Sequence, residues 1–127
     1  MKFNHLNLKP WIQSGLIQAH YFELTPIQEI VLNKNNSGRS LIITAKTGTG
    51  KTLCYLLPVL NNINELNNHT QALILLPTKE LANQVYAKVV QLAKTNKHLR
   101  VKLLNSGDLK YAANNITHIV VGTPSKV

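Results

Sequence analysis

The 127-residue sequence has a single cysteine, Cys54, so no internal disulfide can form and a reducing, cytoplasmic setting is expected. Long apolar runs are also missing. Stretches such as Leu41–Ala45 and Ala72–Pro77 are five or six residues long, against the ~20 needed to span a bilayer. The opening "MKFNHLNLKPW" has no apolar core of the kind a secretory signal needs. Carboxylates are scarce, with Glu23, Glu29, Glu65, Glu80 and Asp108 making up the whole set and a single aspartate among them. The five histidines fall at no spacing that suggests a metal site.

What remains is enough for one globular domain. Hydrophobic residues are 44% of the chain, and six glycines and five prolines are modest. The formal charge is +9, from 14 Lys and Arg against five acids. Such an excess suits a polyanionic partner, because Lys and Arg neutralise phosphates and release counterions. The positive residues form no block of five, so charge alone does not choose between RNA, DNA and a ribosome surface.

Helix-like and strand-like segments alternate, the pattern of an α/β fold with a mainly parallel sheet. Residues 6–18 carry Leu6, Leu8, Trp11, Ile12, Leu16 and Ile17 at roughly helical spacing. A second helix starts at "TPIQEIVLN", with Thr25 as its cap and Pro26 at its first position. Leu41–Thr44 reads as a short buried strand, and "KTLCYLLPVLNNIN" as a helix that Pro58 kinks or shortens. The Asn-rich stretch that follows reads as a surface loop or a frayed helix end, and Ala72–Pro77 as a second strand. Thr78 caps the next helix, where Leu81, Val85, Val89 and Leu92 share a face. "VKLLN" and "HIVVGTP" are the third and fourth strands. Cys54 falls on the apolar face of its helix and reads as core.

Between the first strand and its helix lies "AKTGTGKT", residues Ala45, Lys46, Thr47, Gly48, Thr49, Gly50, Lys51 and Thr52. This is a Walker A pattern with Ala in place of the first Gly. Gly48 and Gly50 let consecutive N–H groups point inward at an anion, and the helix beginning near Lys51 adds its positive end. The Lys51 ammonium can reach β- and γ-phosphates, and the Thr52 hydroxyl can ligate Mg²⁺.

Other segments complete an ordered set. "LTPIQ" (Leu24–Gln28), with Phe3 upstream, resembles the Q motif of DEAD-box RNA helicases, and "AKTGTGKT" resembles their motif I. "PTKELA" (Pro77–Ala82) is similar to motif Ia, Ser106 and Gly107 stand where a Gly-Gly pair is usual, and "TPSKV" resembles motif Ib. The resemblance implies a P-loop, RecA-like α/β fold: residues 1–127 as part of the first RecA-like domain, with the Q motif in residues 1–28. It implies that Gln28 reads the adenine edge of ATP with Phe3 and Thr25 around it, and that Ala45–Thr52 hold the phosphates and Mg²⁺. It further implies that Pro77, Thr78, Lys79, Gly107, Thr123 and Pro124 line an RNA sugar-phosphate track.

Several positions depart from the family pattern. His20 stands where Gly is usual, Leu24 where Pro is, Lys79 for Arg, Ser106 for Gly, and "TPSK" for "TPGR". These changes reshape RNA contacts, Lys79 keeping the charge but losing the planar fork. The family's Asp-Glu-Ala-Asp segment and second RecA-like domain are not found. Asp108, in a Gly-Asp turn, is a poor substitute for acids placed on a strand end. In the family that second domain supplies an arginine finger, worth ~10³–10⁵ in rate, so no catalytic residue is assigned. The end at Val127 reads as an interruption of the domain, leaving an uncovered sheet edge and marginal stability. Three readings stay open: part of an RNA helicase, binding ATP and RNA weakly without turnover; a non-catalytic nucleotide- or RNA-binding module; or part of another P-loop ATPase such as a DNA helicase.

Overall fold

The computed structural model describes residues 2–33, 51–104 and 117–124. The expected strand at Leu41–Thr44, the loop Ala45–Gly50, and Ser106, Gly107 and Asp108 lie outside the described residues. The chain divides into two units, Met1–Asn62 and Ile63–Val127.

The first unit opens with a 3-10 turn, Phe3–His5, followed by helices α1 (Pro10–Gln18), α2 (Pro26–Asn33) and α3 (Lys51–Asn61). Helix α1 starts later than the apolar spacing from Leu6 suggests. Pro10 has no N–H to donate and a preset φ, so it takes the first helical position and the helix cannot run through from Leu6. The residues before it are held by side chains instead. The Asn61 Oδ1 accepts from the Lys9 N–H at 2.9 Å and the Asn61 Nδ2 donates to the Asn7 carbonyl at 3.1 Å. Gln13 Nε2 donates to the carbonyls of Phe3 and Leu6 at 3.0 and 3.1 Å.

Helix α1 ends in a Schellman motif. The Tyr21 N–H donates to the Leu16 carbonyl at 2.8 Å and the His20 N–H to the Ile17 carbonyl at 3.0 Å. This closure requires a left-handed residue, and His20 supplies it at φ 64°. A side chain with a Cβ is strained there by about 1–2 kcal/mol, partly offset by the extra unfolded-state freedom of Gly. His20→Gly is therefore expected to stabilise the chain by about 1 kcal/mol, read as a raised midpoint in urea unfolding. An unchanged or lowered midpoint would count against the strain.

Helix α3 packs against both α1 and α2. It buries Leu53, Cys54, Leu56, Leu57 and Leu60 along one side, so Cys54 is core as expected. Pro58 lies inside it, and the helix ends three residues further on at Asn61, short of the Asn64 that the pattern suggested.

Among the described residues, the second unit holds a parallel sheet of three strands in the order β1-β3-β2, with β1 at Ala72–Leu75, β2 at Val101–Leu103 and β3 at Ile119–Gly122. Ala72 and Val101 both pair with Ile119, and Ile74 and Leu103 both pair with Val121. Central β3 is buried throughout, which suits the continuous apolar run "IVV". Parallel pairing needs a crossover connection, and α4 (Lys79–Leu92) provides it between β1 and β2, packing on β2 and β3. Its buried stripe is Ala82, Val85, Val89 and Leu92. Leu81, expected on this face, is 39% exposed. It sits one position off the stripe, at the edge of the arc that Ala82 occupies. The Asn-rich stretch is a loop clasped by Gln71, whose Nε2 donates to the Asn64 carbonyl at 2.7 Å while its Oε1 accepts from the Asn64 N–H at 2.8 Å. Among the described residues no helix is long and apolar enough to cross a membrane.

Candidate functional site

The sequence-selected residues fall into two clusters, one in each unit. In the first unit, Thr25 and Gln28 bond each other reciprocally at the head of α2. The Gln28 N–H donates to Thr25 Oγ1 at 3.4 Å, and the Thr25 N–H donates to Gln28 Oε1 at 2.8 Å. This is a capping box, which satisfies backbone donors at the helix start from both sides. Gln28 is only 2% exposed, so it is no solvent-facing helix residue. Its carbonyl oxygen is committed to the cap, and the carboxamide plane is thereby fixed. The spacing Thr-x-x-Gln was present in the sequence, yet only the Thr25 half of the box was read from it.

Phe3 is buried and held on two sides. Its N–H donates to the Phe22 carbonyl at 3.0 Å, and its ring meets Tyr21 edge to face with centroids 6.3 Å apart. An antiparallel bridge between Lys2 and Glu23 continues this contact. The segment carrying Phe3 is thus fastened to the chain just ahead of Thr25.

Lys51 and Thr52 form the first two positions of α3, both partly exposed. The hydroxyl and ammonium groups therefore stand at the positive end of an 11-residue helix. Burial pushes the Tyr55 phenol above its ordinary range, and a hydrogen bond with the Thr52 side chain partly offsets this. Burial likewise pushes the Cys54 thiol up, which keeps it protonated and unreactive at neutral pH. Ala45, Lys46, Thr47, Gly48, Thr49 and Gly50 lie outside the described residues.

In the second unit, Pro77, Thr78 and Lys79 follow β1, and Thr123 and Pro124 follow β3. The two segments leave the sheet side by side: Leu75 pairs with Gly122, and the Leu76 N–H donates to the Gly122 carbonyl at 2.9 Å. Pro77, Thr78, Lys79 and Pro124 are exposed and Thr123 is half-buried. Thr78 is the N-cap of α4, its Oγ1 accepting from the Leu81 N–H at 3.1 Å. Gly107 lies outside the described residues.

No sequence pattern singles out His118, which is 1% exposed. Its Nδ1 accepts from the Arg100 N–H at 3.0 Å, and its own N–H donates to the Arg100 carbonyl at 2.9 Å. Nδ1 is an acceptor here, so the ring proton sits on Nε2, which has no partner among the described residues.

A family model described as DEAD/DEAH box helicase matches residues 25–127. The ATP-dependent RNA helicase CshA of Limosilactobacillus reuteri is 36% identical over 131 residues, covering 100% of this chain and 26% of the relative. The ATP-dependent RNA helicase dhh1 of Aspergillus clavatus is 37% identical over 134 residues, with the same 100% and 26% coverage. Among solved structures, a DEAD box protein from the hyperthermophile Methanococcus jannaschii superposes with a TM-score of 0.84 at 35% identity, over 99% of this chain and 35% of that one. S. cerevisiae Dbp5 bound to RNA and ADP BeF3 superposes with a TM-score of 0.88 at 28% identity, over 98% of this chain and 32% of that one. The chain spans about a quarter of the length of these curated relatives. The α/β, RecA-like fold with a parallel sheet and flanking helices agrees with the expectation from sequence.

Proposed function

The chain belongs to the DEAD/DEAH box helicase family, and from that premise we propose that it is the ATP-binding part of a cytoplasmic, ATP-dependent RNA helicase. Residues 1–127 would form the N-terminal part of the first RecA-like domain. The observation that carries the reading is the start of α3 at Lys51, which puts the ammonium and the Thr52 hydroxyl in one helical turn, directly after the sequence segment 45–50. A hydroxyl beside an ammonium suits a Mg²⁺-bound triphosphate. Lys51 would bind β- and γ-phosphate oxygens, and Thr52 would hold the metal. The metal, when bound, neutralises charge on the phosphates.

Gln28 and Phe3 would form the adenine side of the pocket, with Thr25 fixing the carboxamide. Pro77, Thr78, Lys79, Gly107, Thr123 and Pro124 would follow the RNA backbone, Lys79 by charge and the others by shape and hydrogen bonding. The relatives named RNA helicases support a role in RNA remodelling in the whole protein. By itself this sequence would bind ATP and RNA without turnover, since Asp108 is its only aspartate and no Glu adjoins it.

Calorimetric titration with ATP and GTP tests the reading. The unaltered chain is expected to prefer ATP. Gln28→Glu keeps an acceptor for the Thr25 N–H but loses the amide donors and buries a carboxylate, so the preference should fall up to about tenfold, the scale of one hydrogen bond, and the melting midpoint should drop as well. Gln28→Ala should lose both the preference and about 1 kcal/mol of capping. Equal binding of ATP and GTP by the unaltered chain would sink the adenine assignment.

A further inference from the structure

We propose that the turn between α4 and β2 is a second nucleic-acid-binding surface, at the opposite end of the second unit from Thr78, Lys79, Thr123 and Pro124. Its ligand is the phosphate backbone of RNA, without regard to sequence. This surface goes beyond the reading above, and the choice of RNA as its ligand rests on that reading.

The charge of the chain is concentrated here. Residues 81–107 hold five of the fourteen Lys and Arg and none of the five carboxylates, so more than half of the net +9 falls in this stretch. The sequence alone spreads these residues over two elements and a turn, which is why no block of charge is visible. The fold gathers them. Lys94, Lys97, His98 and Arg100 are exposed on the eight residues that join Leu92 to Val101, and Lys102 follows in β2.

The turn is also built to hold its shape. Leu99 is buried beneath it. The Asn96 N–H donates to the Ala93 carbonyl at 2.9 Å, and Asn96 Oδ1 accepts from the His98 N–H at 3.2 Å. Arg100 is fastened through its backbone to buried His118 on both sides, leaving its guanidinium to point outward. Cations fixed on an ordered turn lose less freedom on meeting an anion than cations on a loose one.

A simpler account is that these cations only offset the negative end of the α4 dipole. That effect fades within the last helical turn. The last turn of α4 contains no basic residue, and Lys97, Arg100 and Lys102 lie beyond its cap at Ala93. The dipole therefore explains Lys94 at most.

All three strands are parallel and α4 runs back between β1 and β2, so the basic turn sits at the edge where the strands begin. The Thr78–Lys79 and Thr123–Pro124 segments sit where they end. The 14 residues of α4 separate the two edges by ~21 Å. A single-stranded RNA long enough to pass both edges could be held at each.

The test uses poly(U) and the complete chain over a salt series. It compares the unaltered chain with the triple variant Lys94→Gln, Lys97→Gln, Arg100→Gln, with Lys79→Gln, and with the two combined. The substituted side chains are exposed, and thermal unfolding checks that each variant folds. The triple variant is expected to bind poly(U) at least about tenfold more weakly, with a salt slope shallower by about two, as three lost phosphate contacts on a single strand require. The logarithmic losses from the triple variant and from Lys79→Gln should add. An unchanged affinity and slope in the triple variant would overturn the proposal, whatever Lys79→Gln does. So would a loss confined to polyglutamate, which would assign the turn to an acidic protein. If Lys79→Gln alone has no effect, the track near β1 and β3 fails and the basic turn stands.

Discussion

Replacing Lys51 with alanine is expected to weaken ATP binding about tenfold to a hundredfold and leave the unfolding midpoint of the free chain nearly unmoved. The affinity loss follows from removing hydrogen bonds between an ammonium and phosphate oxygens, worth about 1.5–3 kcal/mol. The unmoved midpoint follows from position. Lys51 is the first residue of α3 and partly exposed, so it contributes no core packing. A positive charge at a helix N-terminus opposes the dipole, and alanine there relieves a small repulsion. Differential scanning fluorimetry reads both outcomes at once. The free variant should melt with the unaltered chain, and ATP at a hundred times the unaltered chain's dissociation constant should stabilise it by only about 0.4–1.4 kcal/mol in place of about 2.7. An ATP-induced rise of unchanged size would remove Lys51 from the phosphate site.

Leu57→Ala is expected to do the reverse. Leu57 is fully buried in α3, and deleting a buried leucine side chain typically costs about 2–5 kcal/mol. Against a total stability of roughly 5–15 kcal/mol this is a large fraction. Helix α3 also carries Lys51 and Thr52, so the loss of packing would depress apparent ATP affinity by lowering the folded fraction. The intrinsic site would survive. At a hundred times its dissociation constant ATP should return about 2.7 kcal/mol, a larger rise in midpoint than Lys51→Ala shows at the same ATP concentration. Urea unfolding with and without ATP measures the pair. A cost below about 1 kcal/mol would mean that the end of α3 is not packed as described.

Much of this architecture could be read from local signals. Thr25 with Pro26, and Thr78 before an apolar stripe, announced the starts of α2 and α4, because capping chemistry acts over three or four residues. The apolar runs "ALIL" and "IVVG" announced β1 and β3, and for β3, which is buried throughout, the reason is that strands covered on both faces need continuous apolar sequence. The misplaced start of α1 was also a local matter, since Pro10 outweighs the apolar periodicity from Leu6. Leu81 and Ala82 show where periodicity runs out: both lie near the buried arc, and only the packing of α4 on β2 and β3 decides between them.

The candidate site was legible to different depths. The pattern of residues 45–52 and the order of the other segments carried the resemblance to the family. The reciprocal half of the Thr25–Gln28 box was present as Thr-x-x-Gln spacing and went unread. The Arg100–His118 clasp had no local signal at all. It joins residues 18 apart and depends on β2 lying beside β3 in the observed register. The basic turn differs: Lys94, Lys97, Arg100 and Lys102 fall within nine residues of sequence, and they went unread because they form no unbroken block.

The bond from the Lys9 amide to Asn61 gives the first unit a built-in reporter. Lys9 precedes a helix and would otherwise trade its hydrogen with water at nearly the rate of an unstructured peptide. Held by the last residue of α3, it can exchange only when that helix end lets go. In deuterium-exchange spectra the Lys9 signal should therefore fade in step with the terminal amides of α3, and Asn61→Ala should bring it back to the fast, unprotected regime.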